Sequence, residues 1–150
     1  MHHRICLRLA EHRDMSILRD WRLGAKFAFR YQGPIEEQAH IGWFEGLLSD
    51  PSRYLYMLEV DGEAIGCVGL RQEVSHWEVF NVINGKRDSG STRGVMRAGM
   101  QLAMSLAWME RQMPIYASVL AGNPAVHWYA SLGFELEDAN PEEVRLRWSR

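Results

Sequence analysis

A polar loop from Asn84 to Gly94 carries the first chemical signal in the sequence. It is rich in glycine, serine and threonine, and it lies between a strand-like segment and a long apolar segment. The first N–H groups of a helix lack intrahelical partners and the helix dipole favours anions, so such a loop can bind phosphate. Glycines let the backbone come close, and Arg87 and Arg93 could add charge-assisted hydrogen bonds to a pyrophosphate. A plain loop that caps the next helix with Ser or Thr has the same pattern, so both interpretations stand.

Hydrophobic periodicity predicts the elements that must position this loop. Strands are expected at 4–9, 53–60, 64–71, 76–84, 114–120 and 143–149, and helices at 11–21, 34–50, 94–111 and 124–132. Asp61-Gly62 is a hairpin signal, because glycine readily takes a positive φ. The strands before the loop thus form an antiparallel meander rather than a βαβ unit, and no Gly-Lys-Ser/Thr follows, which excludes the dinucleotide and P-loop patterns. The helix at 94–111 is polar along one narrow stripe only, which predicts burial on most sides.

Composition narrows the class of protein. The chain has 150 residues, a formal net charge of -2 and 47% hydrophobic residues, which suits one globular domain over 1–150. No basic stripe is visible, which argues against nucleic acid as the main partner. Cys6 and Cys67 are isolated in apolar runs and no Cys/His cluster has metal-ligand spacing, so we expect no metal. No apolar run reaches about 18 residues and no signal peptide is visible, so we expect a cytoplasmic protein with no membrane span.

Over nearly its whole length the chain resembles the GNAT superfamily of acetyl-CoA-dependent N-acetyltransferases, and three segments carry the resemblance. Arg93-Gly94-Val95-Met96 looks like the family's pyrophosphate loop, of type Arg/Gln-x-x-Gly-x-Gly/Ala. The segment from Val119 to Phe134 looks like its second CoA motif, a strand ending in Asn, a helix with Tyr, then Gly-Phe. The segment from Asp61 to Leu70 resembles its central hairpin. The stretches 18–22 and 35–45 further resemble the acetyltransferases of nucleotide-linked amino sugars and of ribosomal-protein N-termini.

The resemblance implies an α/β fold with a mixed, mostly antiparallel central sheet, flanked by helices and splayed between strands 4 and 5. Acetyl-CoA would enter that splay as acyl donor. The acceptor would be a primary amine, on a small molecule such as an amino sugar or on a protein N-terminus. Dimers are common in the family, so the resemblance also allows a homodimer. The implied cofactor-binding residues are Gly90, Ser91, Thr92, Arg93, Gly94, Val95 and Asn123, with Val82 and Ile83 supplying backbone N–H groups from a bulged fourth strand.

Acyl transfer needs a neutral amine and a proton for the departing thiolate. An alkyl amine has a pKa near ~10, so a base, or a water leading to one, must take its proton at neutral pH. By the resemblance, Tyr129 is the predicted general acid, with a core aromatic residue as the alternative. Glu78 on the fourth strand is the candidate base, with a solvent-facing glutamate as the alternative. The candidate acceptor-binding residues are Arg30, Tyr31 and His40, with Trp43 beside them.

Two departures from the family pattern leave other functions open. Met96 stands where the family has its last loop glycine, and only Pro124 separates Asn123 from the helix that follows. A GNAT-like domain that binds CoA without catalysis is therefore an alternative, as is an interaction domain with no CoA site. His76 and His127 are alternative bases. No Cys/His or Ser/His/Asp arrangement suggests a covalent intermediate, so direct transfer is expected.

Overall fold

A computed structural model describes residues 4–25, 34–86 and 94–150. Within these residues, seven strands form one sheet: β1 (Ile5–Leu9), β2 (Arg53–Val60), β3 (Glu63–Gln72), β4 (Trp77–Asn84), β5 (Ile115–Leu120), β6 (Glu135–Ala139) and β7 (Glu143–Trp148). Their order across the sheet is β1-β2-β3-β4-β5-β7-β6. Neighbouring strands are antiparallel except β4 and β5, which run parallel. The predicted mixed, mostly antiparallel sheet is confirmed.

Helices pack on both faces of this sheet. They are α1 (Met15–Gly24), α2 (Glu37–Ser49), α3 (Val95–Glu110) and α4 (Ala125–Ser131). On one face, Leu18 of α1 and Phe44 of α2 are buried against Met57 of β2. On the other face, α3 and α4 form a larger core in which Met100 and Tyr129 belong to the same cluster of buried residues. Among the described residues, no helix combines the length and apolar character that crossing a bilayer requires.

The sheet divides between β4 and β5. These strands pair only at Trp77 with Ile115 and at Glu78 with Tyr116, after which the ladder stops. Since β4 continues to Asn84, no strand of the described residues lies beside most of its length on this side. The predicted splay between the fourth and fifth strands is therefore present, and it opens toward the carboxyl end of β4.

The sequence analysis missed one strand. β6 pairs with β7, yet all five of its residues are exposed and three of them are acidic. Periodicity detects a strand through the side that it buries, and an edge strand with no buried residue lacks that signal.

The first two helices begin later than predicted. The expected helix at 11–21 starts at Met15, because residues His12–Asp14 form a turn of 3-10 helix closed by a capping box. In that box the Glu11 N–H donates to the Asp14 carboxylate over 2.8 Å, and Arg8 of β1 binds the same carboxylate at 2.7 Å. The second helix starts at Glu37 rather than at Pro34.

The close contact of β3 with β4 predicts an asymmetric effect of two glycine substitutions. A Cβ added at Gly69 would lie 2.5 Å from the backbone carbonyl oxygen of Phe80, whereas a Cβ at Gly46 of α2 would meet nothing within 4 Å. Gly69→Ala should therefore lower the free energy of unfolding by about 1–3 kcal/mol, as overpacking does. Gly46→Ala, the matched control, should raise it by up to about 1 kcal/mol through helix propensity. Urea denaturation measures both, and equal stability of the two variants would contradict the contact.

Candidate active site

A cleft of about 530 Å³ opens where β4 and β5 separate. Its walls come from both halves of the sheet, from α4, and from the two helices on the opposite face. The lining residues are Arg22, Trp43, Arg53, Arg71, Val79, Phe80, Asn81, Val82, Ser118, Val119, Leu120, Asn123, Ala125, Tyr129 and Glu143. The cleft thus joins the predicted cofactor side of the sheet to the side covered by α1 and α2.

A β-bulge shapes the wall that β4 contributes. Cys67 pairs with Ile83 and Gly69 with Phe80, so two residues of β4 stand opposite the single residue Val68. Asn81 carries the bulge with a φ of 50°, a conformation that asparagine tolerates better than most residues. The Cys67 thiol donates a hydrogen bond to the Asn81 carbonyl oxygen over 3.1 Å. The bulge predicted for the fourth strand is present, and it interrupts the ladder beside the cleft.

The two backbone donors predicted on β4 have different surroundings. Val82 lines the cleft, directly after the bulged Asn81. Ile83 is buried among the residues under α1 and α2 and is not part of the cleft lining. Because the bulge adds a residue, it changes which positions of β4 face the cleft, and this shift cannot be counted from strand alternation.

Tyr129 lies on the cleft wall and also in the core. Its ring packs edge-on against Trp128 at 5.1 Å and Phe134 at 5.3 Å. Burial raises the pKa of the Tyr129 phenol above its ordinary value, so the hydroxyl keeps its proton at neutral pH. No hydrogen bond to the Tyr129 hydroxyl occurs among the residues that the structure describes. The two interpretations from the sequence, core aromatic and proton donor, are compatible in this position.

The predicted phosphate loop is described only at its end. Gly94 precedes α3 with a φ of 80°, the left-handed region that favours glycine, and Val95 follows as the first residue of the helix. Asn123 lines the cleft, and its side-chain oxygen accepts the Ala125 N–H over 2.9 Å at the start of α4. The predicted residues Gly90, Ser91, Thr92 and Arg93, with Arg87, lie outside the described residues, as do Arg30 and Tyr31.

Glu78 is engaged in ion pairs. Arg145 of β7 binds both of its carboxylate oxygens, one of them over 2.9 Å, and His76 Nε2 lies 3.0 Å from Oε1. Glu78 is not part of the cleft lining. Because its carboxylate oxygens are bound by Arg145 and His76 and it lies outside the cleft lining, Glu78 is not positioned to reach an amine in the cleft. The alternative bases are no better placed, since His76 belongs to the same ion-pair cluster and His127 is exposed on α4.

His40 is buried between α1 and α2 and does not line the cleft. It is 4% exposed, its Nε2 lies 2.7 Å from the Met15 carbonyl oxygen, and its ring stacks on Phe44. It therefore connects α2 to the start of α1 and is absent from the cleft lining, where Trp43 stands instead. The two residues are neighbours on α2, with ring centroids 5.6 Å apart, and only the packed structure shows which of them reaches the cleft.

Sequence reasoning missed three arginines of the cleft, Arg22, Arg53 and Arg71. Arg53 and Arg71 face each other across β2 and β3. Counting outward from the Asp61-Gly62 turn would have placed Leu70 opposite Arg53, and the extra residue Ile65 of β3 moves the register by one. The hairpin sequence therefore contained both arginines, but nothing in it indicates the bulge that brings them opposite each other.

Comparison with known proteins identifies the fold. No protein-family model and no curated protein sequence matches the chain. Among solved structures, spermidine N-acetyltransferase from Vibrio cholerae, in complex with CoA and spermine, superposes with a TM-score of 0.81 at 18% identity, over 96% of this chain and 94% of that one. The nucleotide-linked sugar GNAT FdhC gives 0.78 at 15% identity, over 97% and 86%, and an acetyltransferase from Thermus thermophilus gives 0.76 at 20%, over 96% of each chain. The chain has the fold of the GNAT acetyltransferases.

The buried thiol beneath the bulge gives a test of the site's geometry. Burial raises the pKa of Cys67 to about 12, whereas Cys6 is partly exposed on β1. Since the thiolate is the reactive form, Cys6 alone should react with a disulfide reagent at pH 8 in the native protein. Cys67 should react only after unfolding, and Cys6→Ser should abolish the native reaction. Rapid labelling of Cys67 in folded Cys6→Ser protein would show that the bulge is open.

Proposed function

We propose that the protein is an acetyl-CoA-dependent N-acetyltransferase that acetylates a primary amine by direct transfer. The observation that carries the proposal is the cleft between β4 and β5, which has the bulge at Asn81 on one wall and Tyr129 on the other. A solved structure of the same fold is a complex with CoA and spermine, which supports a CoA-type ligand for this chain as well.

In this proposal the backbone orients the donor. Gly94 and the N-terminus of α3 would bind the diphosphate, because the first helical N–H groups point outward without partners. Val82 follows the bulge and lines the cleft, and its backbone N–H would bind the pantetheine arm or the acetyl oxygen. When bound, acetyl-CoA supplies the activated thioester, and the chain supplies position and hydrogen bonds.

Tyr129 would return a proton to the thiolate. Burial raises the pKa of the Tyr129 phenol, so the hydroxyl carries its proton when the thiolate forms, and its place on the cleft wall would let it donate that proton to the sulfur. The residue needs no covalent bond to the substrate for this role. Cys67 is unsuited to nucleophilic catalysis, since its thiol is fully buried and hydrogen-bonded to Asn81.

The proposal predicts that acetyl-CoA binds the native protein. At 100 times its Kd, a ligand that binds only the native state stabilises it by about 2.7 kcal/mol, so acetyl-CoA should raise the melting temperature. Gly94→Glu should remove this shift, because it places an anion and a strained φ at the helix N-terminus. Gly46→Glu, an equal charge change on exposed α2, should keep it. A folded wild-type protein with no shift would contradict the proposal, and binding without turnover of any amine would favour the inactive CoA-binding alternative.

The proposal also predicts that the Tyr129→Phe variant turns over more slowly. Removing the proton donor should lower kcat by roughly 10²–10³-fold, within the range of general acid catalysis, and leave the KM for acetyl-CoA nearly unchanged. Tyr56→Phe is the matched control, since Tyr56 is a half-buried tyrosine of β2 whose pKa is also raised by burial but which does not line the cleft. Steady-state kinetics separates the two parameters. A Tyr129→Phe enzyme with wild-type kcat would assign the hydroxyl no role in proton transfer.

A further inference from the structure

Two arginines stand side by side at one end of the cleft. Arg53 of β2 and Arg71 of β3 are register partners, and both line the cleft. By strand alternation both lie on the same face as Met57 and Cys67, the face covered by α1 and α2. Like charges directly opposite each other on neighbouring strands destabilise a sheet. Asp50 beside Arg53 and Glu73 beside Arg71 offset part of this repulsion, and an anion bound between the two guanidinium groups would offset more of it.

The hydrogen bonds of these arginines leave their ends available. The Nε of Arg53 is enclosed and has no hydrogen-bond partner among the described residues. It forms an ion pair with Asp50, whose Oδ2 lies 3.1 Å away and whose Oδ1 accepts two hydrogen bonds from Ser52. Arg71 uses its Nε for Glu73. Among the described residues, no hydrogen bond involves the terminal Nη groups of either arginine. Neither Asp50 nor Glu73 is part of the cleft lining.

The position of the pair separates it from the predicted phosphate loop. Arg71 is the register partner of Glu78, near the start of β4, whereas Gly94 and α3 follow the end of β4. The bulge at Asn81 lies between them, three residues from Glu78, or roughly 10 Å at about 3.3 Å per residue. An anion on Arg53 and Arg71 would therefore approach the bulge from the side opposite the CoA diphosphate, which is the side left for the acceptor.

The charge of the cleft lining favours an acceptor that carries an anionic group. Three arginines, Arg22, Arg53 and Arg71, line the cleft, and Glu143 is the only carboxylate among the lining residues that the structure describes. Asp50 and Glu73 pair with two of these arginines from outside the lining, but on the lining itself a polycation such as spermine, the ligand in one structure of the same fold, would meet more positive than negative charge. Paired guanidinium groups suit oxyanions, because their planar N–H groups match phosphate and carboxylate oxygens.

We propose that Arg53 and Arg71 bind an anionic group, a phosphate or a carboxylate, carried by the amine acceptor. The proposal rests on the acetyltransferase function and narrows its substrate class to amines with an oxyanion, and away from polyamines. The guanidinium pair would hold the far end of the acceptor, Trp43 would cover its middle, and the amine would lie at the bulge beside the acetyl group.

Four short amines test this inference: ethanolamine, O-phosphoethanolamine, β-alanine and spermidine. With acetyl-CoA, wild type should use the phosphate or the carboxylate compound with kcat/KM about tenfold above ethanolamine, and the better of the two identifies the anion. Arg71→Gln should remove that preference, so that kcat/KM for the anionic compound falls about tenfold, to the level of ethanolamine, because the oxyanion loses its guanidinium partner. Arg13→Gln is the matched control, since Arg13 also pairs through Nε with a carboxylate two residues away, but on an exposed turn. Wild-type preference for spermidine or ethanolamine would overturn the inference while leaving the acetyltransferase proposal intact.

Binding is measured separately, so that failure of turnover does not decide the question. Calorimetric titration of O-phosphoethanolamine and β-alanine, with and without CoA, should show binding to wild type and to Arg13→Gln, and weaker binding to Arg71→Gln and Arg53→Gln. Unchanged melting temperatures would confirm that these variants fold. Binding that the two variants lose, in a protein without acetyl transfer, would retain the anion site and reject the proposed function. No binding of either compound to wild type would reject the anion site.

Discussion

Trp77 holds together the two halves of the sheet. It is 1% exposed, its backbone N–H donates to the Pro114 carbonyl oxygen over 2.9 Å, and its indole N–H donates to the Arg111 carbonyl oxygen over 3.0 Å. These bonds join the start of β4 to the segment that leads into β5, and they come just before the ladder between the strands ends. The position of this junction decides where the splay begins. The cleft that contains the bulge, Tyr129 and the arginine pair exists only because the two strands separate after this junction.

Most of the fold could be predicted because its signals are local. The strands around Asp61-Gly62 bury one or both faces, and α3 buries one apolar face, so periodicity located them within a residue or two. The predicted burial of α3 on most sides was wrong, since Leu102, Leu106 and Met109 are exposed. The resemblance added the mixed sheet and the splay between its fourth and fifth strands. Two other predictions failed for local reasons. The strand Glu135–Ala139 has no buried residue, so hydrophobic periodicity could not detect it. The later start of α1 goes with the ion pair between Arg8 and Asp14, a contact that hydrophobic periodicity does not predict.

The site was less predictable, because its residues are brought together by register and packing. Tyr129 was found through a motif contained in one short segment. Glu78 was placed on the correct strand, but its partner Arg145 comes from a strand 67 residues later, and only the structure brings them together. His40 and Trp43 differ by three positions on one helix, yet one anchors α1 and the other lines the cleft. The arginine pair depends on a one-residue bulge in β3 that the sequence does not announce.

The acidic edge strand has a consequence for the behaviour of the protein in a crowded solution. Within the part of the chain that the structure describes, β6 is the last strand of the sheet, and such an edge in general invites pairing with a strand of another molecule and so starts aggregation. Glu135, Glu137 and Asp138 place three negative charges along this edge, and every residue of the strand is solvated. A second copy approaching in the same way would bring like charges together across the new ladder. The strand that is hardest to recognise in the sequence is thus built to resist edge-to-edge polymerisation, and its composition reflects solubility more than packing.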